Sequence, residues 1–482
     1  MNKDSTLEKK ETRNGVIEAG DFGFLPDASG IANAAALQRA VDCGGTITVS
    51  RPGTYRIART VYIGSHTALR FAPGVVVRKV AEHGPFTHVL LNKGALTRTY
   101  DEQITVEGLQ IAVNGVDVRD FEIYGLHGHL AFFYVRDLRI QRFRCFDMAK
   151  AQYAIHVCTF EDIIIDDVII KGRKDGVHLG RGKRFTIRNG VFQTFDDAVA
   201  LNAHDWAVGN PELGWIEDGV VEKCWDLAAD ETTGFFCRLL AGGWRDWEAG
   251  MKVQQGDTVV SEGRLYRVQA QPDETSYTSN TPPDHAEGQR VIDGIPWGMV
   301  QTDVTYTAGV RNVAFRDIFL QKNRVGFAYI FCNNRFSRSY YPGASVPMQE
   351  KFTFDNVRVQ HDYQTPFAII KTPVDAITIT NSTFRNSPVR VGGDPEVKDH
   401  GKTSISLVGC TFAATGNSTL LTNAVAEKKI KVKTSGSLVL NDEYFASVNA
   451  GDGQVITDSD LPGLQPVPYQ SPDKPELQVR NS

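Results

Sequence analysis

Hydrophobic positions along the chain follow one template, Φ-x-Φ-x-x-Φ-x-Φ, with Φ apolar. It fits Leu138/Ile140/Phe143/Cys145 and Ile163/Ile165/Val168/Ile170, and it returns at Val313/Phe315/Ile318/Leu320, Phe352/Phe354/Val357/Val359 and Ile405/Leu407/Cys410/Phe412. Two further copies, Phe185/Ile187/Gly190/Phe192 and Ile377/Ile379/Ser382/Phe384, each carry one small residue. Alternation inside each half marks a strand with one face turned inward. The two residues between the halves are often Asp, Asn or Gly (Asp166-Asp167, Arg188-Asn189, Asp355-Asn356), which tolerate a tight bend.

A second pattern supplies the period. The triplets Ile155-His156-Val157, Val177-His178-Leu179 and Val199-Ala200-Leu201 recur every 22 residues. Short strands repeating at roughly 20–30 residues predict a solenoid in which each coil stacks on the last. Each coil then runs strand, sharp bend, strand, looser turn, strand. The expected fold is all-β, a right-handed parallel β-helix.

The ends and the middle read differently. The run 33–41 is a short amphipathic helix, with Asn33 able to cap it, followed by Thr46-Ile47-Thr48-Val49 and the turn Pro52-Gly53-Thr54-Tyr55. A solenoid needs its open end covered, and this helix is the expected cap. From 243 to 303 the template vanishes, and three of the six tryptophans (Trp244, Trp247, Trp297) gather there. The expected organisation is a disordered tail (1–14), cap and N-terminal coils (15–242), an inserted β-module (243–303), C-terminal coils (304–460) and a Pro-rich extended tail (461–482).

Composition narrows the class of partner. Net charge is −5 over 482 residues and basic residues form no long run, so nucleic acid is not expected. No stretch approaches about 18 consecutive apolar residues, so no transmembrane helix is expected. The polar start MNKDSTLEKKETRN has no apolar signal region. The chain is therefore expected in the cytoplasm, or outside it if a signal was removed before this numbering begins. The seven cysteines are scattered without CxxC spacing and read as small buried hydrophobes in the reduced state.

The period brings chemistry together. Asp175 and Asp197 lie 22 residues apart, with Asp196 beside the second. Strands stacked about 4.8 Å apart would crowd all three carboxyls onto one spot. Crowded carboxyls acquire different proton affinities, which acid and base roles require. The alternatives are solvated turn carboxylates or a calcium site. The alternation that turns Val177 and Leu179 inward turns His178 outward beside Asp175, with His156 one coil below. Both are candidate groove residues, as is His204, which with Asp205 closes the same strand line. Arg238 falls near the equivalent position of the next coil, where it could clamp a sugar hydroxyl or carboxylate or form a surface salt bridge. His127-Gly128-His129 has too few ligands for a metal and reads as surface residues. Gly180-Arg181-Gly182-Lys183 lacks the spacing of a phosphate loop.

Asp21-Phe22-Gly23, the Ala-rich helix and Pro-Gly-Thr-Tyr together resemble the start of pectate-lyase-superfamily β-helices. Asp175-Gly176 and Asp196-Asp197 resemble the Asn-Thr-Asp-Gly and Gly-Asp-Asp elements of polygalacturonase-type glycoside hydrolases, family 28, at that family's spacing. The inserted segment is similar to small carbohydrate-binding modules of chitinases. The resemblance implies an inverting glycosidase acting on a pectin-like or related polysaccharide or oligosaccharide. Asp196 would be the general acid, and Asp175 with Asp197 would position and deprotonate the water; no metal or cofactor is implied. Departures touch the substrate. Arg173-Lys174 replaces Asn-Thr, no Gly-His-Gly follows, and Gly326-Phe327-Ala328-Tyr329-Ile330 stands where the family's Arg-Ile-Lys is expected. Arg173 is then a candidate substrate contact, and a neutral or differently charged sugar becomes as suitable as galacturonate. The rival readings are a polysaccharide lyase or sugar epimerase on the same fold, and a non-catalytic glycan-binding or tailspike-like protein.

Overall fold

A computed structural model describes residues 15–458 and 466–468, apart from 120, 230–232, 273–274, 322–323, 325, 332–337, 362–364, 388, 392–400, 414–418, 424–428, 441–446 and 451–453. The alternating template produces a right-handed parallel β-helix. One wall stacks Gly128–Gln141, Tyr153–Gly172, Gly182–Thr194, Ile216–Asp226, Val310–Leu320 and Glu350–Val359 in parallel. A second wall continues from Tyr153–Gly172 through Val177–Leu179, Val199–Asn202, Phe235–Leu240, Gly326–Phe331 and Ala368–Ile370. Its register aligns Ile155, Val177, Val199 and Cys237 inward, and His156, His178, Ala200 and Arg238 on the opposite face.

The bends fall where the template leaves two residues between its halves. The second of those residues is left-handed in coil after coil: Arg142, Asp167, Asn189, Lys223, Asp317, Asn356 and Asn381 have φ of 51–54°. Asn and Asp reach this region at little cost, but Arg142 and Lys223 do not. At those two corners the stacking of neighbouring coils outweighs local preference. The small residue in the weaker template copy has a packing reason. A Cβ on Gly190 would stand 2.5 Å from the Phe192 ring, so the ring fills the space a larger side chain would need.

The inward columns form one continuous core, with Leu138, Ile163, Phe185, Phe315, Phe354 and their neighbours almost fully buried. Burying each such side chain contributes about 1.5–3 kcal/mol. Cys145, Cys158, Cys224, Cys237 and Cys410 are free and buried in it or beside it, Cys43 is free and exposed, and Cys332 lies outside the described residues.

The N-terminal helix runs Gly30–Val41, three residues longer at its start than the sequence pattern indicates. Ser29 caps it, its Oγ accepting from Ala32 N at 3.2 Å. Asn33 sits inside the helix instead and bonds the Leu25 backbone through both side-chain ends, at 2.9 and 3.0 Å. Among the described residues no helix is long and apolar enough to cross a membrane.

Between Leu240 and Val310 the chain leaves the solenoid. Arg245–Asp246, Thr258–Ser261, Arg264–Val268, Gln289–Ile292 and Ile295–Gln301 form a separate five-stranded, mostly antiparallel sheet. Trp297 and Tyr266 fill its core, together with Tyr340 and Tyr341 from a later loop, while Trp244 joins the solenoid core. Pro466–Pro468, in the segment expected to be an extended tail, pairs in parallel with Ser447–Ala450.

Candidate active site

Asp175, Asp196 and Asp197 come together as the period requires. Backbone bonds from Gly176 N to Asp197 O (2.9 Å) and from Ala198 N to Phe235 O (3.1 Å) stack the two coil edges. One carboxylate oxygen from each aspartate lies within 4.8 Å of the others. This is closer than the ~6.5–9.5 Å that leaves room for a water between the acid and base of an inverting glycosidase. Gly234 makes the close approach possible, because a Cβ there would meet Asp196 C at 2.3 Å and Asp197 N at 2.5 Å.

The three carboxyls have different surroundings. Asp197 is 1% exposed, its Oδ1 accepts from Phe235 N at 2.7 Å, and its Oδ2 has no hydrogen-bond partner among the described residues. Burial first, and the Asp196 charge second, push its pKa up to about 7. Asp196 keeps 23% of its side chain in solvent and is ion-paired with Lys174. Burial would raise its pKa too, but the Lys174 ammonium outweighs that and holds the carboxyl below its ordinary value. Asp175 is 2% exposed, and its Oδ2 contacts His178 Nδ1 at 2.9 Å.

The candidate groove residues fare unequally. His178 lies off the core face as the alternation requires, but it is fully buried rather than exposed. It stacks on Tyr153 (centroids 4.2 Å, planes 7° apart), with Nε2 3.7 Å from Asp205 Oδ2. His156 is buried as well: its Nδ1 accepts from His127 N at 3.1 Å, which leaves Nε2 to donate to Asn210 Oδ1 at 2.9 Å. His204 does not reach the aspartates; it bonds Thr258 Oγ1 at 3.1 Å at the junction with the inserted sheet. Arg238 does face the cluster, its guanidinium 3.6 Å from Asp197 Oδ2 and 3.9 Å from Asp205 Oδ1. Arg173 is exposed, its guanidinium 5.1 Å from the Phe195 ring centroid. His127 and His129 are also buried, not surface residues.

The common reason is a roof over the outer face. Segment 203–214 crosses it, and Gly125 packs so closely that a Cβ would stand 2.5 Å from Asn210 C. Arg267 of the inserted sheet then donates to Asn210 O at 2.7 Å. No periodic signal announces a roof built from three distant segments. Two further site residues carry no site signal in the sequence. Lys174 was visible only as a replaced threonine. Arg324 is 4% exposed and donates to Asp196 O (2.7 Å), Thr194 Oγ1 (2.9 Å) and both Asp226 oxygens (2.6 and 2.9 Å). It precedes the strand Gly326–Phe331, where the family resemblance places its cations.

Burial under the roof has a measurable consequence. His127, His129 and His156 are held well below their ordinary pKa by burial, and His88 is held down at about 4. The unfolded chain binds their protons below about pH 6.5 and the folded chain does not, so stability falls as pH drops from 6.5 toward 4. Asp197 acts oppositely: its proton stabilises the fold at low pH, an effect lost as pH rises from 3.8 through about 7. Four histidines outweigh one carboxyl, at about 1.4 kcal/mol per group and pH unit. Denaturant unfolding at pH 7 and pH 5 should show a clear loss at pH 5; equal stability would mean these histidines are not buried neutral.

No protein-family model matches the chain, and no curated protein matches it. Solved structures do. The catalytic unit of the thermostable GH87 α-1,3-glucanase from Streptomyces thermodiastaticus strain HF3-3 matches with TM-score 0.52 and 12% identity, over 96% of this chain and 71% of that one. The N-terminal fragment of bacteriophage phi29 gene product 12 matches with TM-score 0.50 and 12% identity, over 94% and 71%. The chain shares the right-handed parallel β-helix fold of these proteins. A family 28 exopolygalacturonase from Yersinia enterocolitica is similar at 10% identity and TM-score 0.49, over 94% of this chain and 79% of that one. At such identities the likeness is one of fold.

Proposed function

We propose that the protein is a glycoside hydrolase that cleaves a neutral polysaccharide or oligosaccharide at the Asp175/Asp196/Asp197 cluster. One observation carries the reading. Three carboxyls converge within 4.8 Å, and their surroundings push two of them apart, Asp197 toward the protonated form and Asp196 toward the ionised form. Opposed proton affinities in adjacent carboxyls are what acid–base cleavage of a glycosidic bond uses. The α-1,3-glucanase fold match supports a glycan substrate.

In this proposal Asp197 stores the proton and Asp196 is the carboxyl that meets the substrate. Entry of a sugar displaces the Lys174 ammonium, raises the proton affinity of Asp196 and draws the proton outward onto it. Asp175, held against His178, takes the base role toward water. The clustered spacing does not carry the inverting stereochemistry, so none is assigned. A neutral sugar is favoured because Lys174, Arg238 and Arg324 already face carboxylates of the chain itself.

A glycan-library hydrolysis screen tests the activity, comparing wild type with Asp196→Asn. Product release that is lost in the variant, with folding intact, is expected; unchanged release sinks the assignment. The pH profile tests the roles. Activity needs the cluster proton, so kcat/KM should fall as pH rises through about 7, the basic limb set by Asp197. Lys174→Met should displace that limb, and an unmoved limb would remove Lys174 from the proton path.

A second reading has one observation in its favour. The tri-carboxylate cluster, flanked by Lys174 and Arg238, could hold a divalent cation beside a base, as a polysaccharide lyase requires. Lys174 competes directly with a cation for Asp196, which places this reading second. Activity abolished by a chelator, with an absorbing unsaturated uronide as product, would reverse the order.

A further inference from the structure

At the opposite edge of the same wall, the solenoid and the inserted sheet enclose an open cleft of ≈ 230 Å³. Tyr100 and Trp215 contribute ring surface, Arg181 and Lys183 donors, and Glu161, Glu217 and Asp303 acceptors. Arg181 belongs to the Gly-Arg-Gly-Lys turn that has no place in the aspartate site. It stands six residues beyond Asp175, up to about 20 Å away at about 3.3 Å per residue. Segment 203–214 crosses the sheet between the two sites, bonding His156 through Asn210 and Thr159 through Glu212 (2.9 and 2.7 Å). The cleft is therefore separate from the aspartate groove.

We propose that this cleft is a second, non-catalytic binding site for a neutral oligosaccharide. Three features point to that chemistry. First, aromatic surface lies among paired charges, which suits a sugar: ring C–H groups meet the aromatics, and neighbouring hydroxyls bond carboxylate and guanidinium groups. Trp215 is steadied by the Arg311 guanidinium 4.9 Å from its ring centroid, and Tyr100 by Arg136 at 3.9 Å. Second, the lining charges already pair within the chain, Arg181 with Asp303 (3.0 Å), Lys183 with Glu161 (3.7 Å) and Glu217 with Arg311 (2.8 Å), so neither lining cation is held ready for a uronate or a phosphate. Third, the walls are braced before any ligand arrives. Leu213 N donates to Gln301 Oε1 (2.9 Å), Gln301 Nε2 to Asp303 O (2.9 Å), Arg181 Nη1 to Asp303 Oδ1 (3.0 Å) and Arg98 Nη1 to Val300 O (2.6 Å). A preorganised cleft loses little ordering entropy on binding. Trp297 and Trp244 are buried and offer no face to a sugar, whereas Trp215 lines the cleft at this junction. The site holds a polymer strand near the aspartates and takes no part in bond cleavage.

The proposal rests on the reading of the chain as glycan-acting, though not on catalysis, and its test separates the two. The full chain is run by affinity electrophoresis in gels containing soluble β-glucan, α-glucan, galactomannan or xylan, with polygalacturonate as the charged comparison. Retardation by at least one neutral polymer is expected, weakened about ten-fold or more in Trp215→Ala and retained in Asp197→Asn. Hydrolysis of short soluble oligosaccharides by Trp215→Ala should match wild type. If Trp215→Ala does not fold, Lys183→Ala combined with Asp303→Asn gives the decision at the exposed rim. Retardation unchanged in these variants, retardation by polygalacturonate alone, or no retardation by any neutral polymer overturns the proposal. Trp215-dependent retardation without turnover on any glycan leaves the cleft standing and sinks the hydrolase reading.

Discussion

Asp197→Asn is expected to lower turnover by about 10²–10⁴-fold, equivalent to about 3–5.5 kcal/mol of transition-state stabilisation, while leaving the fold intact. An amide fits the space of the carboxyl and can still accept from Phe235 N through its oxygen. It cannot store and release the proton that burial and Asp196 keep on Asp197 near neutral pH. The same change removes a partly charged group from a buried position. Thermal stability should therefore hold or rise slightly above pH 7, where the wild-type carboxyl ionises. Turnover within a few-fold of wild type would show that the proton is not kept on Asp197.

Arg324→Met is expected to cost about 3–5 kcal/mol of stability, the largest loss of any single substitution near the site. The side chain is 4% exposed and its partner Asp226 is fully buried. Removing the guanidinium strands the Asp226 charge in the wall and leaves the Asp196 carbonyl and Thr194 without their shared donor. Adding Asp226→Asn separates the two consequences. It removes the stranded charge and should recover much of the stability, yet it restores no donor to the Asp196 carbonyl. Urea unfolding and kcat are the two readouts. If activity recovers together with stability in the double variant, Arg324 is a purely structural residue and does not position Asp196.

Much of the site follows from period alone. The 22-residue step from Asp175 to Asp197 is a one-coil step, and one coil is the distance over which a solenoid makes its contacts. The same logic aligned Arg238 with Ala200 and His178 in the register the strands adopt. Corner residues such as Asp167, Asn189 and Asn356 declared their left-handed backbone by type, whereas Arg142 and Lys223 did not. Asn33 misled for a related reason. Its residue type suits a cap, but Ser29 stands where the chain first turns helical, and Asn33 is drawn inward to the Leu25 backbone.

Proton affinities lay beyond reach of the pattern. His178 and His156 alternate outward as expected, and in a bare solenoid they would be wet. Segment 203–214, the stretch around Gly125 and the inserted sheet close over them, and each arrives from a distant part of the chain with no repeat to announce it. Lys174 and Arg324 gain their importance the same way, through one ion pair across a coil and one that reaches back 98 residues to Asp226. The sequence determined the coil, its register and the meeting of three aspartates, because those depend on neighbours one period away. Only the tertiary structure decided which carboxyl keeps a proton, which histidines stay neutral and where a second cleft opens. Those properties depend on burial, and burial here is set by long-range segments folding over the wall.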